Sequence, residues 1–596
     1  MRLIFSLLLS TACVLAQQRP AVQKETIVVT GAFEPVPLEE ADRSVLAFPV
    51  RDQALLSNTL SDFLRLDPSL DLRQRAPNGV QSDLSIRGAS FGQTLVLLNG
   101  QRMNDVQSGH HSLDIPVTLE SVSRIEVLRG AGSTFYGSDA VGGVVNIITE
   151  LPESPELRLR AAAGNFGVNQ QRGSLTGVSK RSSGQLSFSR DFSTGFAPNR
   201  DYRNLSFAAT THTQTSVGSS EITLAYSDRP FGADQFYGNF NSWENTKTWF
   251  AGLRQSLGEK TEAAFSFRRH SDLFVLYRDR PAVFANHHSV ESYQTSVRRR
   301  EEISPNARLF YGVEGLHDSI ESNNLGKHDR ARVSGYVSFD MRALKRFSFS
   351  LGLREEVYRS ADSQLSPSAA AGAWLTPHLK LRGSVSRAYR VPTYTDLYYH
   401  DPANRGSPDL RPEHAWSYEG GLDWNHSGKL RGAVTVFQRR ERDGIDYTRR
   451  SAADIWRATN IQNLRFTGVE ASLQARTGRA SEIDFRYTGL HGVQNALSTL
   501  QSKYAFNYPS HSGLIAWQTS IGRDLIARTR LGVVSRLARD PYAVWDVYVA
   551  HTGGRVRPFV QFTNLSATSY QEIIGVRMPG RGIVGGIEVA YFGRRR

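Results

Sequence analysis

Residues 347–354 read Phe347-Ser348-Phe349-Ser350-Leu351-Gly352-Leu353-Arg354, or FSFSLGLR, with bulky apolar and small or polar residues in strict alternation. Successive side chains of an extended chain point to opposite faces, so this rhythm predicts a strand with one apolar and one polar face. The same texture runs from about residue 155 to the end. Val469, Ala471, Leu473 and Ala475 alternate with Glu470, Ser472, Gln474 and Arg476, and Leu381, Gly383 and Val385 alternate with Arg382, Ser384 and Ser386.

The connections alternate as well. Short turns recur at 182–185 (SSGQ), 257–260 (LGEK), 304–307 (SPNA), 375–378 (LTPH), 426–429 (HSGK), 476–479 (RTGR) and 552–555 (TGGR). Longer polar or aromatic connections fall near 190–204, 227–248, 271–292, 317–331, 387–414, 439–464 and 491–511. Roughly ten short and eleven long connections give about 22 antiparallel strands, the count of plugged outer-membrane barrels. A soluble sandwich or propeller would need neither this asymmetry nor an export signal.

The first residues supply that signal. Arg2, the apolar run Leu3 to Leu9 and the small-residue site Val14-Leu15-Ala16 read as a signal peptide over 1–16. A lipoprotein cysteine at Cys13 is the rival reading, but the preceding Ser10-Thr11-Ala12 lacks the expected leucine. Cys13 is the only cysteine, so the mature chain can use neither disulfides nor cysteine metal sites. The net charge of +14 is scattered along the chain, which suits a solvated or lipopolysaccharide-facing surface, and no nucleic-acid partner is expected. No apolar run after the signal reaches the roughly 18 residues that a spanning helix needs; barrel strands do not need one.

Residues 32–150 have a different texture and predict a small α+β domain. Ser57-Asn58-Thr59 offers a cap for a short helix carrying Leu60, Phe63 and Leu64, and compact strands follow at Thr94–Leu98 and Arg124–Leu128. Gly130-Ala131-Gly132 is not a dinucleotide loop: the spacing to Gly137 is wrong, and no helix is expected after it. Gly88-Ala89-Ser90-Phe91-Gly92 fits the hydrolase pattern G-x-S-x-G, but a strand rather than a helix is expected next, and no acid partner stands by His110 and His111. The chain does not read as an enzyme.

LSIRGASFGQTLVLLNGQRMND (84–105) and IPVTLESVSRIEVLRGAGSTFYGSDAVGGVVNIIT (115–149) resemble the plug domain of TonB-dependent outer-membrane receptors. SRAYRVPTYTDLYY (386–399), SPDLRPEHAWSYEGGLDW (407–424), FTGVEASL (466–473) and NLSATSYQEIIGVRMPGR (564–581) resemble the barrel motifs of that family, in its order. The resemblance implies a periplasmic arm over 17–31, a plug over 32–150 inside the barrel lumen, and a barrel over 151–596. Glu25, Thr26, Ile27, Val28, Val29, Thr30 and Gly31 (ETIVVTG) resemble the box that the inner-membrane TonB transducer captures as an added strand, for which β-branched residues are suited.

The resemblance further implies energised uptake of a scarce metal chelate, such as a ferric siderophore or cobalamin, by a monomer in the bacterial outer membrane. A passive porin-like or structural barrel is the alternative. Arg87, Glu126 and Arg129 are expected to latch the plug to charges on the wall. Ligand contacts are expected from the plug loop around His110 and His111 and from Tyr237, Tyr389, Tyr394, Tyr398 and Tyr399. His110-His111 and His287-His288 are expected to be exposed loop histidines.

YGSDAVGGVVNIIT (136–149) resembles cobalamin receptors, whose outer loops bind calcium. Here Asp191, Asp201, Asp228 and Asp234 are interspersed with Arg190, Arg200 and Arg229, so no cofactor is expected and calcium is disfavoured. The barrels of this family end on an aromatic residue, whereas Phe592 is followed here by Gly593-Arg594-Arg595-Arg596.

Overall fold

A computed structural model describes residues 27, 28, 30 and 36–592, apart from 344–345, 359–361, 479–480, 494–496, 498 and 538. The expected signal peptide, the basic tail and the arm residues Glu25, Thr26, Val29 and Gly31 lie outside the described residues.

Twenty-two antiparallel strands form a closed barrel, from Glu156–Gly164 to Gly582–Phe592, and these first and last strands pair with each other. The rhythm of FSFSLGLR explains the wall. In the strand Phe347–Tyr358, Leu351 is 53% exposed on the outer face while Arg354 is 1% exposed toward the lumen. Trp249, Trp416, Trp424, Trp517 and Trp545 are also exposed on the wall, as interfacial aromatics of a membrane barrel are. Among the described residues no helix is long and apolar enough to cross a membrane.

Ten connections at one end are short. The eleven at the other end are unequal. Those expected near 227–248, 271–292 and 317–331 are largely strand: Ser219–Asp234 meets Asn241–Leu257 after six residues, and Ala307–Ser322 meets Gly326–Ala343 after three. The long connections are 391–412, 443–463, 494–508 and 564–581. Three of them bring Asn404–Arg405, Trp456–Ile461, Gly444–Arg449 and Gln501–Ser502 together as a four-stranded sheet over the mouth.

The plug fills the lumen. Its mixed five-stranded sheet runs in the order Val45–Pro49, Val122–Arg129, Gly143–Thr149, Thr94–Leu98, Gln101–Arg102. The central pair, Thr94–Leu98 and Gly143–Thr149, is parallel and almost wholly buried, so TLVLL and GVVNIIT read as continuous apolar runs rather than as alternation. Gly143 is required by packing: a Cβ there would stand 2.4 Å from the Leu128 carbonyl oxygen. Thr59 caps the helix Leu60–Leu64 in a capping box with Asp62. One local expectation fails, because Gly132 is followed by the helical turn Ser133–Tyr136.

The chain enters the plug at the short-turn end of the barrel. Lys380 Nζ donates to the carbonyls of Glu40 (2.9 Å) and Ala41 (3.0 Å) and pairs with Asp42, while Arg342 pairs with Glu40 and Arg431 with Glu39. The arm and the roofed mouth therefore lie at opposite ends of the lumen.

Candidate functional site

At the arm end, Ile27 and Val28 pair antiparallel with Pro37 and Val36. Thr30 is buried: its N–H donates to Glu126 Oε2 at 2.8 Å, and Asn146 Nδ2 donates to its hydroxyl at 3.1 Å. Glu126 and Asn146 sit opposite each other on neighbouring plug strands, so the arm is pinned to the central sheet. Glu126 also pairs with Arg124 at 2.8 Å, so it joins the arm to a neighbour on its own plug strand.

Arg87 and Arg129 do face the wall. The backbone at Arg87 and Gly88 turns through positive φ (51° and 70°), which throws the Arg87 guanidinium outward after the strand Ser82–Ile86. There it forms a fork on Glu470 (2.7 and 2.8 Å), bonds Glu419 at 2.6 Å and stacks over Phe437 at 4.3 Å. Arg129 reaches the same Glu470 at 3.1 Å. These are buried, bidentate, charge-assisted contacts, of the kind that fixes orientation as well as proximity.

At the mouth, the plug tip Phe91 stacks on His110 (4.2 Å between centroids) and meets Tyr504 edge-on at 5.1 Å. Tyr447 follows at 6.4 Å from Tyr504, Lys503 lies 5.4 Å from Tyr504 and 5.9 Å from Trp456, and Arg449 stacks on Trp456 at 4.2 Å. His110 Nδ1 is 2.7 Å from Asp83, which also pairs with Arg75. Burial pushes the His110 imidazole below its ordinary pKa, against the pull of Asp83. Burial alone would raise the Asp83 carboxyl, but Arg75 and His110 hold it well below the usual carboxylate range. Buried Asp446 fixes the roof by accepting from the backbone N–H groups of Tyr447, Tyr504 and Ala505.

The expected ligand tyrosines divide. Tyr237, Tyr398 and Tyr399 keep solvent access, whereas Tyr389, on a wall strand, and Tyr394, on a short outer-loop helix, are buried. Tyr389 lies against the plug, where its carbonyl accepts from Asp139 N–H, and Tyr394 packs beside Val106. The short helix Tyr394–Tyr398 still matters, because the N–H groups of Tyr394 and Thr395 donate to the carbonyls of Val106 and Gln107 and tie an outer loop to the plug tip. His110 and His111 diverge: His110 faces the mouth, and His111 is buried beside Asp114 and His270. His288 is also buried, contrary to the expectation of a loop histidine.

Sequence reasoning missed Phe91, Tyr447, Trp456, Lys503 and Tyr504. The last four fall in the long connections 439–464 and 491–511, where aromatic and basic residues in one outer loop were the available signal.

The family described as TonB dependent receptor-like, beta-barrel matches residues 129–572, and the TonB-dependent Receptor Plug Domain matches residues 44–144. An iron-regulated outer membrane virulence protein of Vibrio cholerae serotype O1 (strain O395) is 25% identical, over 83% of this chain and 82% of the relative. The vitamin B12 transporter BtuB of Vibrio vulnificus (strain YJ016) is 26% identical, over 76% of each chain. The fold is also that of a ferric enterobactin receptor of Pseudomonas aeruginosa (TM-score 0.78, 16% identity, covering 95% of this chain and 100% of that one).

Proposed function

The chain belongs to the TonB-dependent receptor family of outer-membrane proteins, and from that premise we propose that it takes up an anionic, aromatic metal chelate of the ferric-siderophore type. The observation that carries the transport reading is the pinned arm. A pull on residues 25–31 acts through Thr30 on Glu126 and Asn146, and so on the central sheet of the plug rather than on a free tail. A captured arm adds a strand to a partner sheet, and its main-chain hydrogen bonds provide the grip. The competing passive porin would give a filled lumen and a docked arm no purpose.

The cationic, aromatic roof supports the choice of cargo. Arg449 on Trp456, and Lys503 among Tyr447, Trp456 and Tyr504, offer flat faces and positive charge together. Cobalamin is the second reading, kept because one relative is a vitamin B12 transporter. Asp191, Asp201 and Asp228 are engaged by Arg172, Arg278 and Arg203, which speaks against calcium as part of this reading. The receptor works as a monomer, and its outward arginines Arg387, Arg440 and Arg465, near Trp416 and Tyr418, suit lipopolysaccharide phosphates.

Deleting residues 25–31 is expected to abolish uptake of labelled chelate while binding by purified receptor persists. Unchanged uptake overturns the energised mechanism. Lys503→Ala is expected to weaken binding of a ferric catecholate about tenfold, or about 1.4 kcal/mol, in a fluorescence titration. Tighter binding of cobalamin than of any siderophore overturns the cargo.

A further inference from the structure

His111 and Asp114 of the plug and His270 of the wall converge. His111 Nδ1 and His270 Nε2 each lie 3.4 Å from Asp114 Oδ2, and these donor atoms all fall within 4.8 Å of one another. All three side chains are buried, with His270 wholly enclosed, and the three atoms have no hydrogen-bond partner among the described residues. A buried polar atom without a partner is costly, and three aimed at one point need a common explanation.

The geometry points to a divalent transition-metal site of the zinc class, with His111, Asp114 and His270 as ligands and one position left open. Donors about 2.0–2.2 Å from a tetrahedral ion stand roughly 3.3–3.6 Å apart, which matches the 3.4 Å separations, whereas charge-assisted hydrogen bonds close to about 2.7–2.9 Å. Two imidazoles and one carboxylate select zinc, copper, nickel or cobalt over magnesium or calcium.

The surroundings are those of a built site. Histidine ligands are characteristically held through their second nitrogen by a carboxylate. His270 Nδ1 lies 2.8 Å from Asp105, itself anchored by Arg268 at 2.9 Å. Carboxylates also outnumber guanidiniums here. Asp105, Asp114, Asp272 and Glu244 (3.8 Å from His111) gather here, with Arg268 and Arg229 as the guanidiniums among these contacts, an acidic setting suited to a cation. Because two ligands belong to the plug and one to the strand Thr261–Val275, the ion clasps the plug tip to the wall. The site stands whichever chelate the receptor carries.

The test uses the full-length receptor in detergent, stripped with a chelator and given Zn2+ or Co2+ with no siderophore or cobalamin present. One equivalent of Zn2+ is expected to bind, and Co2+ is expected to give the intense visible bands of a four-coordinate centre. His270→Asn and Asp114→Asn are expected to abolish both signals, and Asp105→Asn to weaken affinity about 10–100-fold. His378→Asn, at a short turn, serves as control. Heat-modifiable migration on gels verifies the barrel in each variant. Should a variant fail to fold, X-ray absorption of the wild-type zinc complex decides, with two imidazoles in the coordination sphere as the expected result. A wild-type receptor that binds no ion has a cluster balanced by protonated histidines, and that result overturns the proposal. So does binding that survives both ligand substitutions.

Discussion

The two faces of a single strand obey different rules. Along Phe347–Tyr358, the outer face presents Phe347, Phe349, Leu351 and Leu353 to lipid, while the inner face presents Arg354 and Glu356, both buried. The outer residues need only be apolar, since lipid solvates any of them alike. The inner residues need particular partners: Arg354 meets Glu314 at 2.5 Å, and Glu356 meets Arg332 at 3.4 Å, each from another strand. A buried guanidinium pays a desolvation cost that only a placed carboxylate offsets. The lipid face is therefore specified by composition and the lumen face by pairing.

Three substitutions probe this contrast, in falling order of effect. Glu470→Ala removes the carboxylate shared by Arg87 and Arg129 and is expected to cost about 3–5 kcal/mol, the range for breaking a buried pair. Hydrogen exchange should show the plug losing protection while the barrel keeps its own; uniform protection would mean that the latch is not specific. Leu351→Arg puts a charge on the lipid face between Phe349 and Leu353, at an expected cost of about 2–4 kcal/mol, read from reversible denaturant unfolding in lipid. A neutral result there would place this face out of the membrane. Arg476→Ala breaks the pair with Glu482 (3.2 Å) beside a short turn, where both partners are substantially exposed, and a change of about 0–1 kcal/mol is expected in the same assay. A large loss at Arg476 would contradict the division between buried and exposed pairs.

The same contrast accounts for what could be read in advance. Twenty-two strands were countable because alternation is local and lipid enforces it at every second position. Alternation fades where strands rise past the membrane and both faces become polar, as in His317–Ser322 and Gly326–Ala331, which is why that stretch reads as loop. Arg87 and Arg129 were singled out through the resemblance of their segments to a receptor plug. Glu419 and Glu470 were not recognisable as those partners, because 332 and 383 residues separate them from Arg87. His110 and His111 show the limit most clearly: adjacent in sequence, they leave the 3-10 turn Gly109–His111 in different directions, one toward the mouth and one toward the wall.

By itself the sequence determined the barrel, the strand count and the distinct texture of the plug segment, because each follows from residue type and spacing within a few positions. Tertiary structure decided which charges meet, which tyrosines are buried and which histidines converge. Those outcomes depend on closure of the sheet into a cylinder, which sets residues from distant strands at hydrogen-bond distance around one plug. Burial then makes each such meeting strongly favourable if complementary and costly if not.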